Sequence, residues 1–106
     1  MSKKRRDLYK ENELFNSKFG FILSEHRNIK GLTQEELSEL MKLHVDTISA
    51  TERGIPNFLF YYAYLYINIL NIPQEVIIDF LYNPKYIPQE VNDKMKEAGL
   101  IENNDN

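Results

Sequence analysis

The residues that could do chemistry in this chain are few, and they suit recognition better than bond making. The two histidines, His26 and His44, stand without metal-ligand spacing, and cysteine is absent. Neither a disulfide framework nor a thiolate metal site can form, which fits a reducing compartment. There is no HExxH pattern, no nucleophile–base pair and no glycine-rich phosphate loop. The expectation is a protein that is not an enzyme and takes no metal and no cofactor. What remains is hydrogen-bonding and ionic chemistry in two places. One is the basic run Lys3, Lys4, Arg5 and Arg6. The other is the stretch Gly31–Gly54, "GLTQEELSELMKLHVDTISATERG".

The charge is segregated. Through Gly31, eight basic residues face four acidic ones; from Leu32 onward, five basic face twelve acidic, which together give the net −3. A basic front and an acidic rear would orient the molecule in the field of a polyanion. At 106 residues the chain is one small domain with room for a few appended elements, and its apolar and aromatic content suffices for a core without staples. No apolar run follows the basic start that could serve as a signal peptide. The longest apolar stretch, "FLFYYAYLYINIL", is too short and too tyrosine-rich to span a bilayer of roughly 30 Å. The expectation is a cytoplasmic protein without a membrane partner.

Positioning these groups falls to helices. Periodicity and start–stop signals predict an all-α chain of about six helical segments. The first runs from about Leu8 to Asn28, with Phe15, Phe19, Ile22 and Leu23 on one face. The second begins at Thr33, where "TQEE" is a capping box joining the Thr33 hydroxyl and the Glu36 carboxylate to free backbone N–H groups. Leu37, Leu40 and Met41 give it a buried face. After a turn at Lys42–Leu43, a third helix runs from Val45 to about Glu52, and Gly54 suits the left-handed turn beyond it. A fourth covers about Asn57 to Leu70. Two more open at "PQEV", with Pro73 and Pro88 in the first helical turn. Gly99 closes the last one, with Leu100 set for a capping contact.

Phe19, Gly20, Leu23, Arg27, the run Gly31 to Leu37, Leu43, Ile48, Ser49, Glu52 and Gly54 stand in a spacing that resembles the Cro/C1-type (XRE) helix-turn-helix family of bacterial and phage regulators. The resemblance covers about Phe19 to Ile72, half the chain. It implies a lambda-repressor-like bundle of about five helices with one or two extra C-terminal helices. Three positions depart from the family pattern. Ser38 stands where alanine is usual at a tight helix contact. Lys42 replaces the turn glycine, which costs roughly 1 kcal/mol if its φ is positive. His44 replaces the usual Ser or Thr cap.

In that family the second helix crosses the phosphate backbone and the third enters the major groove. The resemblance therefore makes Thr33 and Gln34 phosphate contacts at a helix N-terminus. Ile48 points inward, leaving His44, Val45, Asp46, Thr47, Ser49 and Ala50 toward DNA, with Arg53, Lys30 and Lys42 as further phosphate contacts. Asp46 suits a hydrogen bond from cytosine N4, and Val45 or Ala50 a thymine methyl; alternatively Asp46 only complements the helix N-terminus. The segment "HVDTISA" holds no Arg, Lys, Gln or Asn, so direct base readout is sparse and DNA shape carries part of the specificity. Arg27 and Glu52 are implied to be a structural ion pair rather than DNA contacts.

Residues 1–10 are read as a basic flexible arm, either a groove-binding arm or a solubility tag. Residues 11–72 form the DNA-binding domain, 73–100 the C-terminal helices and 101–106 a frayed tail. The aromatic fourth helix turns Ala63, Tyr66, Ile67 and Leu70 inward on the family pattern. That leaves Phe60, Tyr61, Tyr64 and Leu65 either as a satellite core under the C-terminal helices or as a homodimer interface. The function implied is a regulator, by expectation a repressor, that binds double-stranded DNA as a dimer. The alternative is a protein-interaction module, antirepressor or antitoxin-like, that meets a protein or peptide partner.

Overall fold

A computed structural model describes residues 10–55 and 59–101 of the chain. It is all-α, with six α-helices and one short 3-10 turn, and no strand among the described residues. The helices are α1 (Lys10–Ile29), α2 (Gln34–Met41), α3 (Val45–Glu52), α4 (Leu59–Leu70), α5 (Gln74–Leu81) and α6 (Gln89–Glu97); the 3-10 turn, Pro84–Tyr86, precedes α6. The expected starts at Leu8 and Asn57 lie outside the described residues, as do the basic arm Lys3, Lys4, Arg5 and Arg6 and the tail beyond Ile101. Lys10, assigned to the arm by composition, is already helical.

The helix ends follow local chemistry. Thr33 caps α2 with the full reciprocal box: Glu36 N–H donates to Thr33 Oγ1 at 3.0 Å and Thr33 N–H to Glu36 Oε1 at 2.8 Å. Lys42, at φ 56°, closes α2 in the left-handed region, and Leu43 N–H returns to the Ser38 carbonyl at 3.0 Å. The lysine accepts the backbone cost that glycine would avoid, roughly 1 kcal/mol. Asn71 plays the same part after α4 at φ 54°, a position that the sequence reading passed over. Pro73 and Pro88 are N-caps with extended ψ rather than members of the first turn. The fixed φ of proline suits either place, and the cap position leaves the next residue to start the helix.

One core joins the elements: Phe19, Ile22 and Leu23 of α1, Leu37 and Met41 of α2, Ile48 of α3, Leu59, Ala63, Tyr66 and Leu70 of α4, then Ile72 and Phe80. Leu40 departs from expectation, being 60 % exposed. Ser38, not Leu40, fills the contact side of α2, and its hydroxyl donates to the Glu35 carbonyl at 2.7 Å. Of the two alternatives for the outer face of α4, the satellite core does not form. Phe80 of α5 turns away from the outer face of α4 and stacks on Phe19 at 5.3 Å, with Phe15 at 4.7 Å and Tyr86 at 5.7 Å. The α5 residue Phe80 and Tyr86 of the 3-10 turn thus pack on α1. Phe60, Tyr61 and Tyr64 stay exposed, and only Leu65 of that group packs at the rim of the core.

Two glycines set how closely α1 meets α3. A Cβ on Gly20 would stand 2.5 Å from the Glu52 carbonyl oxygen and 2.7 Å from that of Thr51. A Cβ on Gly54 would strike the Asn16 carbonyl, and Gly54 also needs its φ of 73°. Gly31 shares the positive φ but faces open space. Gly31→Ala should therefore lose only the backbone preference, about 1–2 kcal/mol. Gly54→Ala should lose distinctly more, and Gly20→Ala about 1–3 kcal/mol from overpacking alone. Urea unfolding of the three variants checks the order; equal losses at Gly31 and Gly54 would contradict the close contact.

Candidate nucleic-acid interface

The segment that links α2 to α3 is short: Lys42, Leu43 and His44. His44 is the N-cap of α3, and its Nδ1 accepts the Asp46 N–H at 3.1 Å. Accepting that bond requires an unprotonated Nδ1. The Asp46 carboxylate, 3.6 Å from the same nitrogen, becomes an ion-pair partner only if the ring takes a proton and gives up the cap. Histidine thus does the capping work that was expected of Ser or Thr, with a ring nitrogen in place of a hydroxyl.

On α3, Ile48 and Thr51 are fully buried, and Thr51 Oγ1 donates to the Thr47 carbonyl at 2.7 Å. The opposite face centres on Asp46 and Ala50, one turn apart. Asp46 is exposed, and Val45, Thr47, Ser49 and Ala50 are half-buried. Asp46 and Ala50 therefore lie opposite Ile48 on one helix, Thr47 and Ser49 stand to either side, and Val45, three residues before Ile48, is at the N-terminal end nearer the buried side. Arg53 is the C-cap of α3, its Nε donating to the Ser49 carbonyl at 3.3 Å. Lys30 and Lys42 are exposed. Thr33 is exposed at the start of α2, its hydroxyl already committed to the capping box.

Behind this face lies a buried ionic hub. Arg27 meets Glu52 in two parallel bonds, Nε to Oε2 at 2.7 Å and Nη2 to Oε1 at 2.9 Å. Arg27 Nη1 also donates to the Leu32 carbonyl at 2.8 Å. Tyr66 O–H donates to Glu52 Oε2 at 2.8 Å, and Gln34 Nε2 to Glu52 Oε1 at 3.0 Å. The Arg27 and Glu52 side chains are only 11 % and 6 % exposed. Burial, the largest single influence on Glu52, pushes its carboxyl up. The bonds from Arg27, Gln34 and Tyr66 and the arginine charge together outweigh it and hold the group below the usual carboxylate range. Arg27 is raised, first by its bond to Glu52. Burial and the bond to Glu52 push Tyr66 far up, so it remains a protonated donor.

The hub brings together residues that the sequence reading kept apart. Gln34, expected at a phosphate, turns its side-chain amide to Glu52, with one of its two hydrogens engaged. Tyr66 was read only as a core position, and its hydroxyl is a carboxylate donor. Tyrosine amid otherwise aliphatic core positions was the available signal: a buried phenol needs a partner. His26 belongs to the body of α1, with Nδ1 2.9 Å from the Ile22 carbonyl. Among the described residues no group of three or more His, Asp or Glu side chains is placed to hold a metal ion, and no helix is long and apolar enough to cross a membrane.

Compared with known proteins, the chain matches no family model, no curated protein and no solved structure.

Removing either charge of the hub should be costly: Arg27→Ala strands a buried carboxylate and is expected to lose about 3–5 kcal/mol. The pH dependence has a defined sign. Glu52 is depressed when folded, so its contribution is complete above its ordinary value of 4.5 and fades as pH falls through the folded value. Between pH 5 and pH 3 the wild type should lose more stability than Glu52→Gln, which starts lower but lacks this titration. Parallel acid-dependent urea melts check it, and identical slopes would refute the depressed carboxyl.

Proposed function

We propose that the chain is a DNA-binding transcriptional regulator of the Cro/C1 type, acting in the cytoplasm as a dimer on operator DNA and, by occupancy, hindering polymerase. The observation that carries this reading is the two-sidedness of α3. Its inner face is fixed by Ile48, Thr51 and Glu52, while Asp46 and Ala50 lie opposite, Thr47 and Ser49 stand at the flanks and Val45 is half-buried at the N-terminal end. A short helix held so firmly from behind loses little freedom on docking. In the major groove, Asp46 accepts from cytosine N4 and Ala50 or Val45 meets a thymine methyl. Backbone N–H groups at the start of α2, with the free hydrogen of Gln34 and the guanidinium of Arg53, take phosphates. The basic run Lys3 to Arg6 adds counterion release and hence salt dependence.

A second reading has its own observation. The outer side of α2 carries Glu35, Glu36 and Glu39, and Leu32, Glu36, Glu39 and Leu40 line a groove of about 450 Å³. An acidic rim around the exposed Leu40 and the half-buried Leu32 suits a basic, apolar protein segment better than DNA. On this reading the chain is an interaction module, and the outward face of α3 is not used for bases.

Mobility-shift titration against genomic fragments at low and moderate salt separates the two. A regulator gives salt-sensitive, fragment-selective retardation. Arg53→Ala with Gln34→Ala should weaken binding to all sequences by a similar factor, provided that circular dichroism shows the fold intact. Asp46→Ala should instead change preference at one base pair, worth about 1–3 kcal/mol. Retardation that is absent, or unaffected by both changes, would sink the regulator reading.

A further inference from the structure

We propose that the outer face of α4 is the contact between two copies of this chain, an isologous helix-on-helix pairing centred on Tyr61 and Tyr64. The chain leaves this face open: Phe60 is 79 %, Tyr61 56 % and Tyr64 58 % exposed, although all three lie on a helix whose other side is in the core. At roughly 200 Å² per aromatic side chain, these fractions leave about 400 Å² of ring surface, before Leu65, Asn68 and Ile69 of the same face are added. A stable pair needs about 600–800 Å² from each partner, so one 12-residue helix and its surroundings bring the area within reach.

The chemistry of the face selects the occupant. From Leu59 to Leu70 there is no charged residue. A copy related by a two-fold axis presents the same neutral rings, so no charge is buried and no like charges meet. A basic or acidic partner would find no counter-charge on this helix and would have to desolvate its own. The rings are also arranged in advance: those of Tyr61 and Tyr64 lie 6.1 Å apart at 22°, a stacked platform. Tyrosine hydroxyls at the rim stay with water while the rings are covered, the pattern favoured in protein interfaces. Among the described residues a second neutral patch, Leu81, Tyr82, Pro84 and Ile87, lies on the end of α5 and the 3-10 turn rather than along the face of one helix. On α1, the exposed Leu14 and Phe21 share their groove with Lys18 and Lys85, whose like charges would face each other in a symmetric pair.

This pairing deepens the dimeric part of the reading above and rests on it only for the use made of the dimer. The measurement contains no nucleic acid, so the two fail separately. Sedimentation velocity of the full chain across a range of concentrations should show the wild type moving from 12.6 kDa toward twice that mass. Tyr61→Glu with Tyr64→Glu should hold it at the monomer mass, with helical circular dichroism unchanged because both positions are exposed. Phe60→Ser, a milder change at the flank, should weaken the dimer without abolishing it. Raising salt from about 0.1 to 0.5 M should alter the dissociation constant by less than about twofold, since screening acts on charges and this face has none. A wild type that stays monomeric overturns the proposal, whether the face is covered by residues 1–9 or by another protein. So does a dimer that survives the double substitution or dissolves in salt. A dimer with these properties that retards no DNA supports the interface and counts against the regulator.

Discussion

The Glu52 carboxylate is the point at which the first four helices are tied, and it sits where a negative charge is unwelcome twice over. It is buried, and it is the last helical residue of α3, at the negative end of the helix dipole. Such a charge persists only if its oxygens are fully engaged. Four hydrogen bonds from Arg27, Gln34 and Tyr66 supply this, one residue each from α1, α2 and α4. Because the two bonds of Arg27 are parallel and planar, they set direction as well as distance. The C-terminus of α3 therefore has one orientation relative to three other helices, and the polar face on its other side inherits that orientation.

The hub depends in turn on backbone packing. Gly20 lies two turns before Arg27 on the same side of α1, against the Thr51 and Glu52 carbonyls. With any side chain there, α1 would stand off from α3, and the guanidinium would reach Glu52 only by leaving its forked geometry. Gly54 closes the same contact from the α3 side by admitting the Asn16 carbonyl. Steric absence at two glycines and electrostatic attraction at one ion pair are one device. The glycines permit an approach that the ion pair then makes favourable.

What the sequence disclosed and what it hid divides along local against tertiary causes. The capping box at Thr33 and the left-handed end at Gly54 are set by neighbours within one turn, and cap signals suffice for them, whereas the inward Ile48 is what the family resemblance implies. Leu40 was misplaced because the apolar period of an eight-residue helix fits more than one face, and only the position of α1 and α3 chooses between them. The aromatic cluster of Phe15, Phe19, Phe80 and Tyr86 joins residues far apart in the chain, and it pulled the C-terminal segment onto α1 instead of α4. The 3-10 turn at Pro84–Tyr86 that aims Tyr86 there is too short to show a period. The side-chain bond of Gln34 to Glu52 is invisible to any pattern, and the buried phenol of Tyr66 signals that it needs a partner but not which one.

Two surfaces of different chemistry remain outside the core, and the hub connects them. The face of α3 offers hydroxyls, a methyl and one carboxylate; the face of α4 offers neutral rings. Glu52 belongs to the first helix and Tyr66 to the second, and their 2.8 Å bond links the backs of both. A dimer that reads two half-sites must hold its recognition helices about 34 Å apart, and that span is only as well defined as the angle between recognition face and dimer face in each copy. In the dimer proposed above, that angle is set by a buried carboxylate rather than by a linker. On that proposal the small side chains of α3 matter less as individual readers of bases, because a rigid spacing discriminates among DNA sequences through the shape and twist each must adopt to meet both helices at once.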